Sequence, residues 1–561
     1  MVATVTSTSP VDPLDDRAVY KQVADQLRGL LDRRELRPGD KLPSESALMR
    51  QFGTSRATIR NALRRLTHEG RLRTERGVGV FVPETSRLVI HDPAEFLRTR
   101  DPAEDESTLE RDARDQGFGY RQRLRTLDEV PASARVATLL RVQPGERVFA
   151  RERLVLTRFD GEPWAPAKIA NSYLPLDVAV GRIREPDTGR GGTYARIKEA
   201  GYRLTHFDEH LLFRMPDPGE ARSLRLGTGV PVIQQTRVAY AGERPVECFL
   251  AVLAGDRNAI EYRIPTDAPV PDTVVQPTGG TVVSPPALRQ RRSPRAIAVS
   301  EIAGPVDPAS DRPVYKQIAD RIRERIDAGE LVPGDRLPSE SALMRRFEVT
   351  RTTVRRAVEA LAVEGRVRTE RGVGVFVKEV VHADALARQP YDRLARHHYR
   401  DEGKSGLDVD AETRGYSHKD VRQDRMNLAD VTPPARVAEW LQIESETVFR
   451  RRRRMWLGQA PTQLTNSYIP SGLAVGALRE EFMGEGGAHA RLEELGHRLT
   501  HIVERLSVRM PYPPEARALR LEQGVPVVEL YQTTYAGDMP VECFTSVIAG
   551  DRYLFTYRIE A

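Results

Sequence analysis

The hydrophobic residues of one segment near the start of the chain recur at the i, i+3, i+4, i+7 spacing of a single helical face: Ile59, Ala62, Leu63 and Leu66. Ser55 precedes them, and its hydroxyl is suited to cap the first turn. The opposite face is polar and mostly basic, with Arg56, Thr58, Arg60, Asn61 and Arg64. Such side chains bind phosphates and reach base edges in a major groove. Because a solvated surface helix has the same pattern, spacing alone leaves both interpretations open.

A shorter helix is predicted just before this one, over residues 45–52, and Gly53 after it is suited to the left-handed turn between two helices. After Gly70 the sequence RLRTERGVGVFV gives two short β-rich runs around a glycine-bearing tip at Arg76 and Gly77. A hairpin directly after a basic helix predicts a winged helix-turn-helix. This context favours DNA binding over a plain surface helix.

The whole pattern occurs twice. Residues 42–65 (LPSESALMRQFGTSRATIRNALRR) return at 337–360 as LPSESALMRRFEVTRTTVRRAVEA, and Cys248 and Cys543 occupy equivalent places 295 residues apart. The second copy has Glu348 where the first has a glycine, so its turn is expected to be slightly less favourable. We therefore expect two DNA-binding heads in one chain.

The pattern changes from about residue 117, where β-rich runs alternate with short helical ones. Strands are predicted over 147–157, 169–175, 202–215, 231–240 and 246–254, with helices near 194–200 and 218–226. This order predicts an α+β domain with a mainly antiparallel sheet.

Composition and charge fit this picture. The 561 residues are 40% hydrophobic and 30% charged, as in several soluble domains. No apolar run approaches the ~18 residues needed to cross a bilayer, and residues 1–16 do not resemble a signal peptide, so we expect a cytoplasmic protein without membrane contact. Two cysteines exclude a disulfide framework, and we expect buried thiols, no metal and no cofactor. Residues 17–82 hold 15 basic and 7 acidic residues, and residues 312–377 hold 14 and 10, so positive charge lies where DNA would bind.

Three motifs resemble the GntR family of bacterial transcriptional regulators: Pro43-Ser44-Glu45, Ser55-Arg56-x-Thr58-x-Arg60, and the Gly77-x-Gly79-x-Phe81-Val82 wing. The resemblance implies a DNA-binding regulator with a second, small-molecule-sensing domain. The polar faces of the two recognition helices and the tips of the two wings supply the candidate DNA contacts. These are Arg56, Thr58, Arg60, Asn61, Arg76, Gly77, Arg351, Thr353, Arg355, Arg371 and Gly372. Ser46 and Ser341 depart from the family, where many members have arginine, so the operator is expected to differ from the commonest ones.

The later segments resemble the UTRA effector-sensing domain of the HutC subfamily, whose fold is similar to chorismate lyase. The similarity rests on Asn171-Ser172-Tyr173-Leu174-Pro175, Arg214-Met215-Pro216, Gly229-Val230-Pro231-Val232, Pro245-Val246-Glu247 and Asp256-Arg257. It implies a ligand between the sheet and its covering loops. Candidate contacts are Arg151, Arg153, Ser172, Tyr173 and Glu247, and in the second copy Arg451, Arg453, Ser467, Tyr468 and Glu542. Paired arginines suit an anionic effector, and a buried glutamate suits a hydroxyl or amine. The alternatives are arginines that face water and a tyrosine in the core.

The expected organisation is therefore multidomain, with two winged helix-turn-helix heads and two α+β UTRA sensors. The predicted segments are a disordered 1–16, head 17–82, connector 83–116, sensor 117–264, linker 265–311, head 312–377, connector 378–411 and sensor 412–561.

The leading hypothesis is a DNA-binding transcriptional regulator, a repressor whose binding to a pseudo-palindromic operator is modulated by an effector. The chain would act as an intramolecular pseudo-dimer or as a homodimer. Two alternatives stay open: a ligand-independent regulator with decayed sensors, and an enzyme related to chorismate lyase. We expect no enzyme, because no motif commits to catalysis.

Overall fold

The computed structural model describes residue 11 and residues 18–32, 35–36, 40–68, 71–75, 79–82, 87–93, 107–266, 296–302, 306–307, 312–327, 330–331, 334–370, 373–377, 386–388, 401–404, 406–412, 416–444, 446–522 and 524–560. The predicted disordered N-terminus lies almost wholly outside these residues, and so does most of the predicted linker. No helix among the described residues is long and apolar enough to cross a membrane.

Each head is a three-helix bundle followed by a two-stranded wing. The first head consists of α1 (Val19–Asp32), α2 (Glu45–Phe52), α3 (Arg56–His68), β1 (Arg73–Glu75) and β2 (Gly79–Phe81). The second consists of α8 (Val314–Asp327), α9 (Glu340–Phe347), α10 (Arg351–Val363), β11 (Val367–Glu370) and β12 (Gly374–Val377). The apolar face predicted for α3 is buried against the other helices, as its spacing requires. Both predicted winged helix-turn-helix heads are therefore confirmed.

The turn between the second and third helices has the left-handed conformation in both heads. Gly53 has φ 60° and Glu348 has φ 53°, and each caps its helix through its own backbone N–H. A β-carbon on Gly53 would meet nothing within 4 Å, so the difference between the two turns is one of backbone conformation and not of space.

The first sensor supplies one set of strands and short helices. They are β3 (Val89–His91), α4 (Thr108–Gln116), β4 (Phe118–Pro131), α5 (Ala134–Leu140), β5 (Arg147–Phe159), β6 (Ala165–Pro175), α6 (Gly192–Glu199), β7 (His206–Arg214), α7 (Pro218–Ser223), β8 (Val232–Ala241), β9 (Arg244–Ala254) and β10 (Asn258–Pro265). The predicted strands and helices all occur, with ends shifted by a few residues. The strand β3 and the helix α4 were not expected. They lie in the predicted connector, whose prolines and acidic residues suggested no regular structure.

The second sensor repeats this order. Its elements are β13 (Leu386–Arg388), α11 (Gly406–Glu412), β14 (Val421–Val431), α12 (Ala435–Leu441), β15 (Val448–Leu457), β16 (Ala460–Pro470), α13 (Gly487–Glu494), β17 (His501–Arg509), α14 (Pro513–Ala518), β18 (Val527–Ala536), β19 (Met539–Ala549) and β20 (Tyr553–Glu560). The predicted α+β class with a mainly antiparallel sheet is confirmed.

The two sensors exchange their last strands. One eight-stranded sheet has the order β4-β5-β6-β9-β8-β7-β20-β13, and the other has the order β14-β15-β16-β19-β18-β17-β10-β3. The last strand of each sensor thus pairs antiparallel with the other sensor's sheet, β20 with β7 and β10 with β17. Each sheet contains strands from both halves of the chain, so neither sensor sheet is complete on its own half.

Ionic and aromatic contacts reinforce the exchange. Arg558 on β20 pairs with buried Asp208 on β7, with an Nε–Oδ1 distance of 2.9 Å, and Arg505 pairs with Glu261 across β17 and β10 at 2.7 Å. At the centre the rings of Tyr262 and Tyr557, 295 residues apart, stack with centroids 3.5 Å apart. One hydrophobic core contains residues of both sensors, which indicates a single folded body in place of two separate domains.

Candidate DNA-binding surface and effector pocket

The third helix of each head presents its predicted polar face to solvent. The Ser55 hydroxyl accepts a hydrogen bond from the Thr58 backbone N–H at 3.2 Å, which confirms it as the cap of α3. Arg56, Arg60 and Asn61 are exposed, while Thr58 is half-buried. In the second head Thr350 caps α10 in the same way, at 3.3 Å from the Thr353 N–H. Arg351 and Arg355 are exposed there and Thr353 is half-buried.

A glutamate at the start of the second helix holds these arginines in place. The Arg60 Nε donates to both carboxylate oxygens of Glu45, at 2.9 and 3.0 Å. In the second head Glu340 accepts from Arg351 at 2.6 Å and from Arg355 at 3.0 Å. The hydrogen bond from Arg351 lowers the pKa of Glu340. The guanidinium groups are therefore oriented across the exposed face before any DNA arrives. This role of the glutamates was not deduced from their place in the Pro-Ser-Glu motif.

The predicted wing contacts Arg76, Gly77, Arg371 and Gly372 lie outside the described residues. The strands that flank each tip pair antiparallel, as a wing requires. These four residues remain predictions.

The first sensor contains a cavity of about 220 Å³ between its sheet and covering segments. Its lining includes Arg153, Lys168, Ala170, Ser172, Tyr194, Arg237 and Glu247, with Asp112 and His91 from the connector. Three of the five predicted contacts, Arg153, Ser172 and Glu247, meet here. The Arg153 guanidinium donates to the Ser172 hydroxyl at 3.0 Å, and Glu247 Oε2 is buried with no hydrogen-bond partner among the described residues. An orphaned buried carboxylate oxygen is suited to a ligand hydroxyl or amine.

The other two predicted contacts do not line the cavity. Arg151 is buried and donates to the backbone oxygens of Glu185 and Pro186, each at 2.5 Å, so it holds the covering loop in place. Tyr173 alternates with Ser172 along β6 and therefore points to the opposite face of the sheet, where its hydroxyl donates to Glu152 at 2.8 Å. For Tyr173 the core alternative describes its position better.

Two cations of the cavity were missed. Lys168 stands two and four residues before Ala170 and Ser172 on the same face of β6, an alternation that the sequence displays. Its Nζ makes no hydrogen bond or ion pair with any described residue. Burial lowers its pKa to about 8; the charge of Asp112 opposes this shift, and those of Arg237 and Arg153 add to it. Arg237 is buried and pairs with Glu209 at 2.6 Å, a contact that joins the cavity to the sensor core.

The second sensor has the same loop-holding arginine as the first, but the hydrogen bonds around its glutamate differ. Arg451 is buried and donates to backbone oxygens of Leu478, Glu480 and Glu481, the same loop-holding role as Arg151. The Ser467 hydroxyl donates to Glu542 at 2.5 Å, and His489 Nε2 lies 3.3 Å from the same carboxylate. Arg453 is half-buried beside them, and Tyr468 is buried in a cluster on the other face. None of the four candidate arginines, Arg151, Arg153, Arg451 and Arg453, is exposed to solvent.

Both cysteines are buried free thiols, as expected, and burial raises the pKa of each to about 12. Within the described part of the chain no group of His, Cys, Asp and Glu side chains could hold a metal ion.

Comparison with known families agrees with this geometry. The model for bacterial regulatory proteins of the gntR family matches residues 19–82 and 314–377. The UTRA domain model matches residues 115–258 and 418–554, which alone is just over half of the chain. Three curated relatives each match one head and one sensor. An uncharacterised HTH-type transcriptional regulator of Streptomyces coelicolor is 32% identical, with 44% of this chain and 93% of the relative covered.

The mannosyl-D-glycerate transport/metabolism system repressor of Escherichia coli is 31% identical, with 44% and 95% covered. The histidine utilization repressor of Pseudomonas putida is 26% identical, with 44% and 91% covered. Each relative therefore corresponds to one half of this chain. The chain belongs to the GntR family, HutC subfamily, as a tandem duplication, and is a DNA-binding transcriptional regulator with effector-sensing UTRA domains.

Proposed function

We propose that one chain acts as a covalent pseudo-dimer: a cytoplasmic repressor that holds a pseudo-palindromic operator with its two heads and releases it when an effector binds. The observation that carries this proposal is the reciprocal strand exchange between the sensors. It joins the two halves through sheet hydrogen bonds and a shared core. Tethering also makes the second head bind at a high effective concentration, which keeps operator binding steep even when the protein is scarce.

The exposed arginines of α3 and α10 are suited to read base edges, with Arg60 and Arg355 as the candidates for guanine contacts. Glu45 and Glu340 orient these side chains in the free protein, which lowers the ordering cost of binding. The names of two relatives include the word repressor, which supports repression here.

The first sensor is proposed to bind an anionic effector. The ammonium of Lys168, which has no hydrogen-bond or ion-pair partner among the described residues, and the guanidinium of Arg153 would hold the anion. The Oε2 atom of Glu247 would accept from a hydroxyl or amine. Carboxylates at the rim are already engaged: Glu110 accepts from the Ser107 N–H at 2.6 Å, and Asp187 accepts from the Gly189 N–H at 2.9 Å.

The connector gives a route from effector to head. His91 follows the first head by only eight residues and lines the cavity, where its ring contacts Asp112 at 3.2 Å and Asn258 at 3.0 Å. An effector that moves His91 would shift β3, and with it the first head. A coupling free energy of about 1–3 kcal/mol is enough to change operator occupancy.

The test is an operator mobility shift titrated with a metabolite selected by thermal shift, since a ligand at 100 times its Kd stabilises by ~2.7 kcal/mol. Arg153→Gln should keep operator binding and lose release, whereas Arg123→Gln, at an exposed arginine outside the cavity, should behave as wild type. Equal release in all three would contradict the assignment of the cavity. A metabolite that tightens the complex would reverse the proposed sign.

The enzyme and decayed-sensor alternatives are less well supported. The relatives are regulators, and no described catalytic constellation lines the cavity, so we propose a non-enzymatic role. Product formation from chorismate would overturn it. Decayed sensors would not be expected to retain a cavity that contains Lys168 and a carboxylate oxygen of Glu247, neither of which has a partner in the part of the chain that the structure describes.

A further inference from the structure

Arg153, Lys168, Ala170 and Arg237 lie on sheet strands that line the cavity of the first sensor. The second sensor differs at several of the equivalent positions. The strand registers are equivalent, with Arg153 opposite Ala170 in the first sensor and Arg453 opposite Thr465 in the second. Superposing these registers sets Lys168 against Gln463 and Arg237 against Gln532. The equivalent positions of the second sensor therefore carry two fewer positive charges, while the glutamate is retained as Glu542.

The second sensor keeps one guanidinium here, that of Arg453, which donates to Gln423 at 3.3 Å and whose charge is opposed by Glu542. The other polar groups at these positions are neutral or paired. Gln463 donates to the Tyr553 hydroxyl at 2.7 Å and accepts from Ser546 at 3.3 Å. Glu542 is engaged by His489 and Ser467. In the first sensor Tyr194 hydrogen-bonds Glu247, but the Oε2 atom of Glu247 has no partner among the described residues. The buried Thr465 hydroxyl, which replaces an alanine, has no hydrogen-bond partner in the described chain.

The rim changes in the same direction. The first sensor has Asp187 at the cavity edge, and the position 295 residues later is Phe482, whose side chain is 77% exposed. Threonine and glutamine side chains suit a molecule with hydroxyls, whereas an ammonium without a partner among the described residues suits an anion.

We infer that the two sensors recognise effectors of different charge: the first an anion, the second an uncharged, hydroxyl-bearing molecule. The inference rests on the proposed effector role of these sites. One chain would then respond to two chemically distinct ligands, which a homodimer of chains with one sensor each cannot do.

Hydrogen exchange of the full chain reads the two sensors separately, because β6 (Ala165–Pro175) and β16 (Ala460–Pro470) give different peptides. The anion probe is sulfate, compared with sodium chloride at equal ionic strength, and the uncharged probes are a panel of hexoses and polyols. Sulfate should protect β6 and leave β16 unchanged. At least one uncharged probe should protect β16. Any general stabilisation by sulfate would affect both peptides and is removed by comparing them.

Exchanging the residues at equivalent positions supplies the matched variants. Lys168→Gln should abolish sulfate protection of β6, and Gln463→Lys should create it in β16, with thermal unfolding confirming that both variants fold. Sulfate protection of both strands in wild type, none in folded Gln463→Lys, or failure of every uncharged probe would overturn the inference. The proposed function fails on a separate readout, when no effector releases wild-type protein from its operator.

Discussion

Arg60 and Arg355 occupy equivalent places in the two heads, so a substitution in one of them changes only half of the protein's DNA-binding surface. In a chain that binds alone, Arg60→Ala should damage recognition of one half-site and leave the other intact. In a homodimer with four heads, unaltered Arg355 heads remain available for both half-sites.

The structure sets the size of this effect. Arg60 is exposed, and its ion-pair partner among the described residues is Glu45 on the same surface, so its loss should cost little folding stability. If it holds a guanine edge, its removal should weaken binding by ~1–3 kcal/mol, and changing that base pair should cost wild type about the same. With RT near 0.59 kcal/mol, this corresponds to roughly 5- to 150-fold in Kd.

The decisive assay is a double-mutant cycle between protein and operator, measured by fluorescence anisotropy at fixed salt. An operator with one altered half-site should bind Arg60→Ala about as well as it binds wild type, because the altered head takes the altered half-site. Additive losses of ~2–6 kcal/mol in the Arg60→Ala combination would refute the reasoning. A uniform loss on all sequences would make Arg60 a phosphate contact.

Three further outcomes are expected. Glu348→Gly should stabilise the second head by up to ~1 kcal/mol in denaturant unfolding, and Gly53→Glu should destabilise the first by a similar amount, because both positions are left-handed; opposite signs would contradict the turn argument. Arg558→Ala should lower the free energy of unfolding by about 3 kcal/mol, since it leaves a buried aspartate of the other sensor unpaired, while Arg505→Ala, at a more exposed pair, should cost about 1 or less; equal losses would count against the burial argument. Sulfate affinity should be highest below pH 8 and fall by up to about tenfold per pH unit above it, because Lys168 loses its charge there; calorimetry showing no change between pH 7 and pH 9 would exclude Lys168 as the anion ligand.

Local patterns were enough to predict the heads. The spacing of Ile59, Ala62, Leu63 and Leu66 defines a buried face whichever way the helix is packed, and Ser55 caps its own helix. These features depend on residues a few positions apart. For the same reason, five strands of the first sensor were predicted within a few residues of their ends.

The strand exchange could not be predicted in this way. The residues of β10 and β20 define strands by their composition, but both sheets offer an almost equivalent edge, since β7 and β17 are copies of each other. Which edge each strand joins depends on the path of the chain through the whole body. The same holds for β3, whose three residues become a strand only because β10 lies beside them.

Only some of the residues that line the cavity were predicted, because the others are brought together by the folded sheet. Arg153, Ser172 and Glu247 followed from resemblance, whereas Lys168 and Arg237 lie on different strands and meet only once the sheet has formed. Alternation along β6 could have indicated that Lys168 shares a face with Ser172. The same alternation places Tyr173, one residue further along, on the opposite face of the sheet from Ser172.

The central claim is that one chain binds one operator with its own two heads. Native mass spectrometry of the intact protein on an operator selected from random DNA measures this directly. One chain per pseudo-palindromic duplex, at concentrations from nanomolar to micromolar, is the expected result. Two chains on the same duplex, with no population carrying one, would contradict the covalent pseudo-dimer and show that the heads pair between chains.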